Sequence, residues 1–213
     1  KCVEYCYAGA LEMSGKTWTA QEVFQEVEED CALYANSGGG ITLSGGEPFM
    51  QPDFAQAIFE ICKENGINTA VETCGCVPWQ FIERSLPYVD VFLYDIKQMD
   101  SQMHQKYTGV DNGLILENLR RLAERGKRTV IRLPIIPGVN DSMGHIHSVI
   151  AFMKQNRFGE ANILPFHKFG LNKYESMFKE YWFKDAKSIP DELLEEMQRA
   201  FEEENISVRL FKH

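Results

Sequence analysis

The chain has 213 residues, 44% hydrophobic and 25% charged, with a formal net charge of −9. That is enough for one domain with a proper core, and the excess of acid argues against a nucleic-acid-binding face. No apolar run approaches membrane-spanning length and no signal-peptide pattern opens the sequence. The expected compartment is therefore the cytoplasm, where the six cysteines point to metal or cluster ligation ahead of disulfides.

Residues 1–16 stand apart: they carry Cys2 and Cys6 and have no strand or helix period. Residues 19–35 read as a helix, opened by a Thr19/Glu22 capping box with Val23, Phe24 and Val27 on one apolar face. Ser37-Gly38-Gly39-Gly40 breaks it. Residues 40–44 form a short strand, and Pro52 opens a helix that Gly66 stops. The next strand covers residues 67–73, and Pro78 opens a short helix. The mostly apolar run 89–97 is a third strand, buried on both faces as in a parallel sheet. Helices over 100–107 and 112–125 follow. Residues 129–133 form a fourth strand, ended by Pro134. A helix over 142–155 leads to a fifth strand at 161–164, and a last helix, 188–204, precedes a final strand at 206–211. Cys31 and Cys62 fall inside helical patterns and read as buried thiols. Strand and helix alternate throughout, which argues a parallel α/β architecture, barrel-like or doubly wound.

In a parallel barrel the C-terminal strand ends share one rim, and the rim carries the active site. The first strand delivers Gly45, Gly46 and Glu47 there; the second delivers Glu72 and Thr73, followed by Cys74-Gly75-Cys76. The third delivers Asp95 and Lys97, the fourth Arg132, and the fifth His167. The Gly-Gly-Glu-Pro turn reads either as an ordinary βα corner or as an ammonium site, because adjacent glycines let backbone groups approach a ligand closely. Asp95 could pair with Lys97 or Arg132, and His167 could be a satisfied core histidine. Taken together, mixed charges on one rim suit a zwitterion: carboxylates and glycine carbonyls for an ammonium, and Lys, Arg and His for a carboxylate. Cys2 and Cys6 match the last C-x3-C of a bacterial ferredoxin run, with Tyr7 where proline would stand, or are two surface thiols. Cys74 and Cys76 carry a redox or metal role, or are incidental rim thiols.

These residues resemble the S-adenosylmethionine radical enzymes, specifically the activating enzymes for glycyl radical enzymes of the pyruvate formate-lyase-activating type. The resemblance rests on residues 36–48 (NSGGGITLSGGEP), 71–75 (VETCG), 94–100 (YDIKQMD), 104–110 (HQKYTGV), 131–134 (IRLP), 136–141 (IPGVND) and 164–167 (LPFH). It implies a partial (β/α)6 barrel with the first strand missing from this chain. Residues 1–16 would be the remnant of a ferredoxin-like insert. Residues 17–213 would hold five of six barrel strands with a C-terminal helix and strand.

It also implies a cofactor site. Gly45, Gly46 and Glu47 would receive the methionine ammonium of S-adenosylmethionine. Lys97 and His167 would hold its carboxylate with Arg132 nearby, and Glu72, Thr73 and Asp95 would place the methionine end, with a monovalent cation as a further component. Cys2 and Cys6 would belong to a second [4Fe–4S] cluster with an incomplete ligand set. The family's C-x3-C-x2-C triad, which holds the catalytic [4Fe–4S] cluster, has no counterpart in the sequence.

The implied activity is reductive cleavage of S-adenosylmethionine and abstraction of a glycine hydrogen from a partner glycyl radical enzyme. An electron donor such as flavodoxin or ferredoxin would supply the electron, and these 213 residues alone would be inactive. The alternatives are a non-catalytic ligand- or partner-binding barrel, and a radical enzyme acting on a small molecule. A lost first strand would leave the edge at residues 40–44 to be covered by the N-terminal segment, a second copy or lattice neighbours.

Overall fold

Six parallel strands pair in strict chain order in the structure, a computed structural model that describes residues 2–13 and 15–211. They are β1 (Gly40–Leu43), β2 (Asn68–Thr73), β3 (Val91–Asp95), β4 (Thr129–Ile135), β5 (Glu160–Pro165) and β6 (Ser207–Leu210). The expected five barrel strands are β1–β5; the C-terminal strand joins the same sheet as β6, in parallel with β5. Helices α3 (Pro52–Glu64), α4 (Trp79–Glu83), α5 (Ser101–Thr108), α6 (Gly113–Glu124), α7 (Met143–Asn156), α8 (Leu171–Ser176) and α9 (Asp191–Glu203) fill the crossovers, after α1 (Ala20–Glu28) and α2 (Cys31–Ser37). A parallel pair needs such a crossover because its ends lie at opposite poles.

The two faces of the sheet differ. In-register partners across a parallel sheet share a face, and side chains along a strand alternate. One face collects Val71, Phe92, Tyr94, Ile131, Leu133 and Ile163, all fully buried, and packs against Leu119, Leu122, Met153 and Phe201 from the helices. The other face carries Ser44, Glu72, Asp95, Arg132, Asn162 and Arg209 and has no helix layer, so it stays partly exposed. β3 is therefore not buried on both faces, as its apolar character suggested.

Two local expectations are corrected. The single helix over 19–35 is two. The capping box at Thr19 forms, but α1 stops at Glu28 and α2 restarts at Cys31. Glu28-Glu29-Asp30 places three carboxylates at a helix C-terminus, where the dipole disfavours them. The fourth strand runs through Pro134 to Ile135. Alternate residues of an inner parallel strand bond to alternate neighbours: Arg132 accepts from Ile96 on the β3 side, and Ile135 accepts from Phe166 on the β5 side. Pro134 thus turns its missing N–H toward β3, which has already ended at Asp95, and no ladder bond is lost.

Residues 2–13 form turns with local backbone bonds, such as Cys6 N–H to Val3 and Gly9 N–H to Cys6. Among the described residues they place no strand on the outer edge of β1, which pairs with β2 alone. The N-terminal segment thus adds no strand to this edge among the described residues.

Candidate functional site

The turn after β1 is built for close approach. Gly45 has φ +120°, a conformation that side-chain-bearing residues rarely adopt, and a Cβ added at Gly46 would meet nothing within 4 Å. Glu47 then caps the 3-10 turn Pro48–Met50, accepting from the Phe49 N–H at 3.2 Å. Its carboxylate also accepts from the Thr73 hydroxyl at 2.8 and 2.9 Å, from the Cys74 N–H at 3.0 Å and from the Cys74 thiol at 3.4 Å. The Gly75 N–H donates in turn to the Thr73 hydroxyl at 2.9 Å. Both oxygens of Glu47 are thus occupied in tying the β1 turn to the end of β2. Among the described residues no backbone N–H bonds the Gly45 or Gly46 carbonyl.

A second group forms on the open face. Arg132 on β4 is ion-paired to Glu72 on β2 and lies 3.5 Å from Asp95 on β3, and the Ser44 hydroxyl caps Glu72 at 2.5 Å. Asp95 Oδ1 is buried with no hydrogen-bond partner. Burial raises the Asp95 carboxyl above the usual range, against the pull of Arg132 and Lys97. Burial also pushes up the Cys74 thiol, with the Cys76 N–H and Lys97 opposing and Glu47 adding to it. Lys97 is half-buried near both groups and makes no ion pair among the described residues. It is a cation with its charge still available.

The rim loops are held by buried amides that sequence reasoning missed. Asn118 of α6 donates to the Gly75 and Val77 carbonyls, both at 2.8 Å. Asn112 donates to the Gln98 and Met99 carbonyls at 3.0 and 2.8 Å. Asn140 donates to the Lys97 and Pro134 carbonyls, both at 2.7 Å, and accepts from the Ile136 N–H at 2.6 Å. Gln98 donates to Val139 at 3.1 Å. These bonds lock the loops after β2, β3 and β4 to one another. Isolated amides carry no period: Asn112 stands at a helix start and Asn140 past the end of β4, while Asn118 lies in mid-helix with no local signal. Gly75 belongs to the same lock: it has φ +66°, and a Cβ there would sit 1.6 Å from the Tyr94 hydroxyl, which donates to the Ile115 carbonyl at 2.7 Å.

Of the sequence-derived candidates, Gly45, Gly46, Glu47, Glu72, Thr73, Asp95, Lys97 and Arg132 gather at the C-terminal ends of β1–β4. His167 is less integrated. It is exposed after β5, its ring 4.4 Å from Phe169 and its Nδ1 accepting from the Phe169 N–H at 3.3 Å. A cavity of about 780 Å³ opens beside it, lined by Phe166, Lys168, Asp185 and Lys187. A separate cavity of about 460 Å³, with Gly39, Asn68, Asp90 and Arg128 in its wall, lies at the opposite strand ends, away from this rim. Cys2 is exposed and Cys6 half-buried. Among the described residues no group of three or more His, Cys, Asp or Glu could hold a metal ion. Cys62 is buried and its thiol is pushed up to about 11 by burial and then by Cys31, which is half-buried. No helix among the described residues is long and apolar enough to cross a membrane.

Comparison with known proteins identifies the family. The profile of the Radical SAM superfamily matches residues 4–149. The choline trimethylamine-lyase activating enzyme of Oleidesulfovibrio alaskensis is 37% identical over 210 residues, covering 97% of this chain and 68% of the relative. The 4-hydroxyphenylacetate decarboxylase activating enzyme of Clostridioides difficile is 39% identical over 209 residues, covering 97% and 66%. The chain thus spans about two thirds of the length of these relatives. Among solved structures, a domain of a pyruvate-formate lyase-activating enzyme from Bacteroides vulgatus superposes with a TM-score of 0.69 at 27% identity, covering 82% of this chain and 99% of that one.

Proposed function

The chain belongs to the radical SAM superfamily, and from that premise we propose that it forms the cofactor pocket of an activating enzyme whose substrate is a glycine loop on a partner glycyl radical enzyme. The family implies S-adenosylmethionine and a [4Fe–4S] cluster, a pair that supplies one-electron chemistry when bound. The residues present fit the first of these. The supporting observation is the mixed-charge rim: glycine carbonyls that accept no backbone bond among the described residues, and the Asp95 carboxylate, 3.5 Å from Arg132, beside the available Lys97 ammonium.

The carbonyls of Gly45 and Gly46, with Asp95, take the methionine ammonium, and Glu47 holds their turn against Thr73. Lys97 takes the carboxylate. Arg132 is already engaged by Glu72 and Asp95, so it sets the shape and charge of the wall, and His167 closes the site from the loop after β5. The Asp95 and Glu72 carboxylates, which share Arg132, also suit a monovalent cation.

The residues present do not fit the cluster. Four-iron clusters take four ligands, and Cys2 and Cys6 offer two. These 213 residues alone are therefore inactive in reductive cleavage. The electron would come from a donor such as flavodoxin or ferredoxin.

Calorimetry tests the pocket. S-adenosylmethionine should bind the chain weakly, and Lys97→Met should abolish the heat; unchanged binding by that variant overturns the assignment. Anaerobic treatment with iron and sulfide should yield no reductive cleavage, and turnover would overturn the claim of inactivity. A non-catalytic binding barrel is the second reading, favoured by the absence of a ligand group for a cluster among the described residues. It predicts inactivity even in a longer chain that carries a full set of cluster cysteines.

A further inference from the structure

The ladder between β3 and β4 stops one residue before Lys97, the cation that the rim leaves available. The Ile96 N–H donates to the Arg132 carbonyl at 2.9 Å, and among the described residues no later backbone bond joins these two segments. Alternate residues of an inner strand face the same neighbour. The Pro134 carbonyl, two residues on from Arg132, therefore also faces the β3 side. A further rung would bring it the Gln98 N–H, but β3 has ended at Asp95. Among the described residues no backbone N–H bonds the Pro134 carbonyl or the Lys97 carbonyl.

Asn140 stands in for the missing rung. It is 1% exposed, on the loop after β4. Its Nδ2 donates to the Lys97 and Pro134 carbonyls, both at 2.7 Å, and its Oδ1 accepts from the Ile136 N–H at 2.6 Å. Carbonyls only accept and N–H groups only donate, so the amide sits in one orientation. The next two carbonyls, of Gln98 and Met99, go to Asn112 instead. Asn140 is thus the side chain that ties the Lys97 main chain to β4.

We infer that Asn140 is a positioning residue for the carboxylate end of S-adenosylmethionine: by bridging the Lys97 and Pro134 carbonyls it fixes the backbone from which the Lys97 ammonium reaches that carboxylate. The inference rests on the proposed cofactor site and adds the residue that places its cation. A lysine ammonium rides on a flexible four-carbon stem, so its reach is set by where its main chain is anchored. Arg132, two residues before Pro134 on β4, is engaged by Glu72 and Asp95. Asn140 therefore holds the available cation at a set offset from the compensated one. Without the amide Lys97 keeps its charge and loses its place, while the Gly45-Gly46 turn that takes the ammonium end is untouched.

Decarboxylated S-adenosylmethionine, which keeps the ammonium and lacks the carboxylate, isolates this effect. Equilibrium dialysis of the 213-residue chain with tritiated ligands reads both affinities. The unsubstituted chain should prefer S-adenosylmethionine about tenfold, and Lys97→Met should erase that preference. Asn140→Ala should cut the preference to under about threefold while changing affinity for the decarboxylated ligand less than about twofold. Asn118→Ala, which frees the loop after β2, should weaken both ligands alike. Where thermal melting shows Asn140→Ala unfolded, Asn140→Asp decides: it keeps an acceptor for the Ile136 N–H, removes the donor edge and should show the same selective loss. Equal loss of both ligands in the Asn140 variants, or a lost preference in Asn118→Ala, would overturn the inference. A preference erased by Lys97→Met and kept by both Asn140 variants fails the positioning role alone. A preference that survives Lys97→Met, or no binding of either ligand, fails the cofactor reading and the inference with it.

Discussion

The two faces of the sheet obey different rules. The covered face is built from Val71, Phe92, Tyr94, Ile131, Leu133 and Ile163, with no exposed surface. The open face, one residue out of phase on the same strands, carries Glu72, Asp95, Arg132, Asn162 and Arg209. Because a strand alternates strictly, a single register fixes both sets at once. Hydrophobic burial on one side holds the polar groups of the other side in place, including Asp95, 3.5 Å from Arg132. Stability resides on one face and chemistry on the other.

Substitutions test that separation. Phe92→Ala on the covered face should cost about 3–5 kcal/mol in chemical denaturation; a loss under about 1 kcal/mol would mean that the face does not carry the fold. Acid should act next, through the helix layer. His145 on α7 is buried with both ring nitrogens unpaired, and burial lowers its pKa from 6.5 to about 4. The unfolded chain therefore binds the extra proton first. Stability should be full above pH 6.5 and fall by about 3 kcal/mol as pH drops to 4. His145→Gln should flatten melting temperature over that window; an unchanged acid slope would point to other groups.

Asn118→Ala sits at the boundary between the faces. It removes two bonds to the loop after β2, and should cost about 2 kcal/mol while also weakening S-adenosylmethionine in calorimetry. If stability falls and affinity holds, the amide lock does not position the rim. Lys97→Met should be smallest for stability, under about 0.5 kcal/mol by thermal melting, and still eliminate cofactor binding. A large stability loss there would break the division of labour.

Most of the sheet was legible in the sequence because parallel strands are short apolar runs between turn formers, and the GGEP, ETCG, DIK, IRLP and LPFH segments mark their rim ends. What escaped has physical reasons. The break between α1 and α2 comes from an acidic run that leaves the apolar spacing untouched. Pro134 is tolerated because of which neighbour its nitrogen faces, and that depends on β3 ending one residue earlier. The short helix α8 lies in an aromatic segment without a clear period. Asn112, Asn118 and Asn140 join loops up to 43 positions apart, a relation no local pattern encodes.

The sequence by itself determined the alternation of strands and helices, the parallel class, the charged rim and the family resemblance, since each is written in local spacing or motif. Only the tertiary structure decided that Glu47 spends its carboxylate on Thr73 and Cys74, that Arg132 is shared between Glu72 and Asp95, and that Lys97 keeps its charge available. Which charges cancel depends on distances across strands, and those exist only once the register has closed.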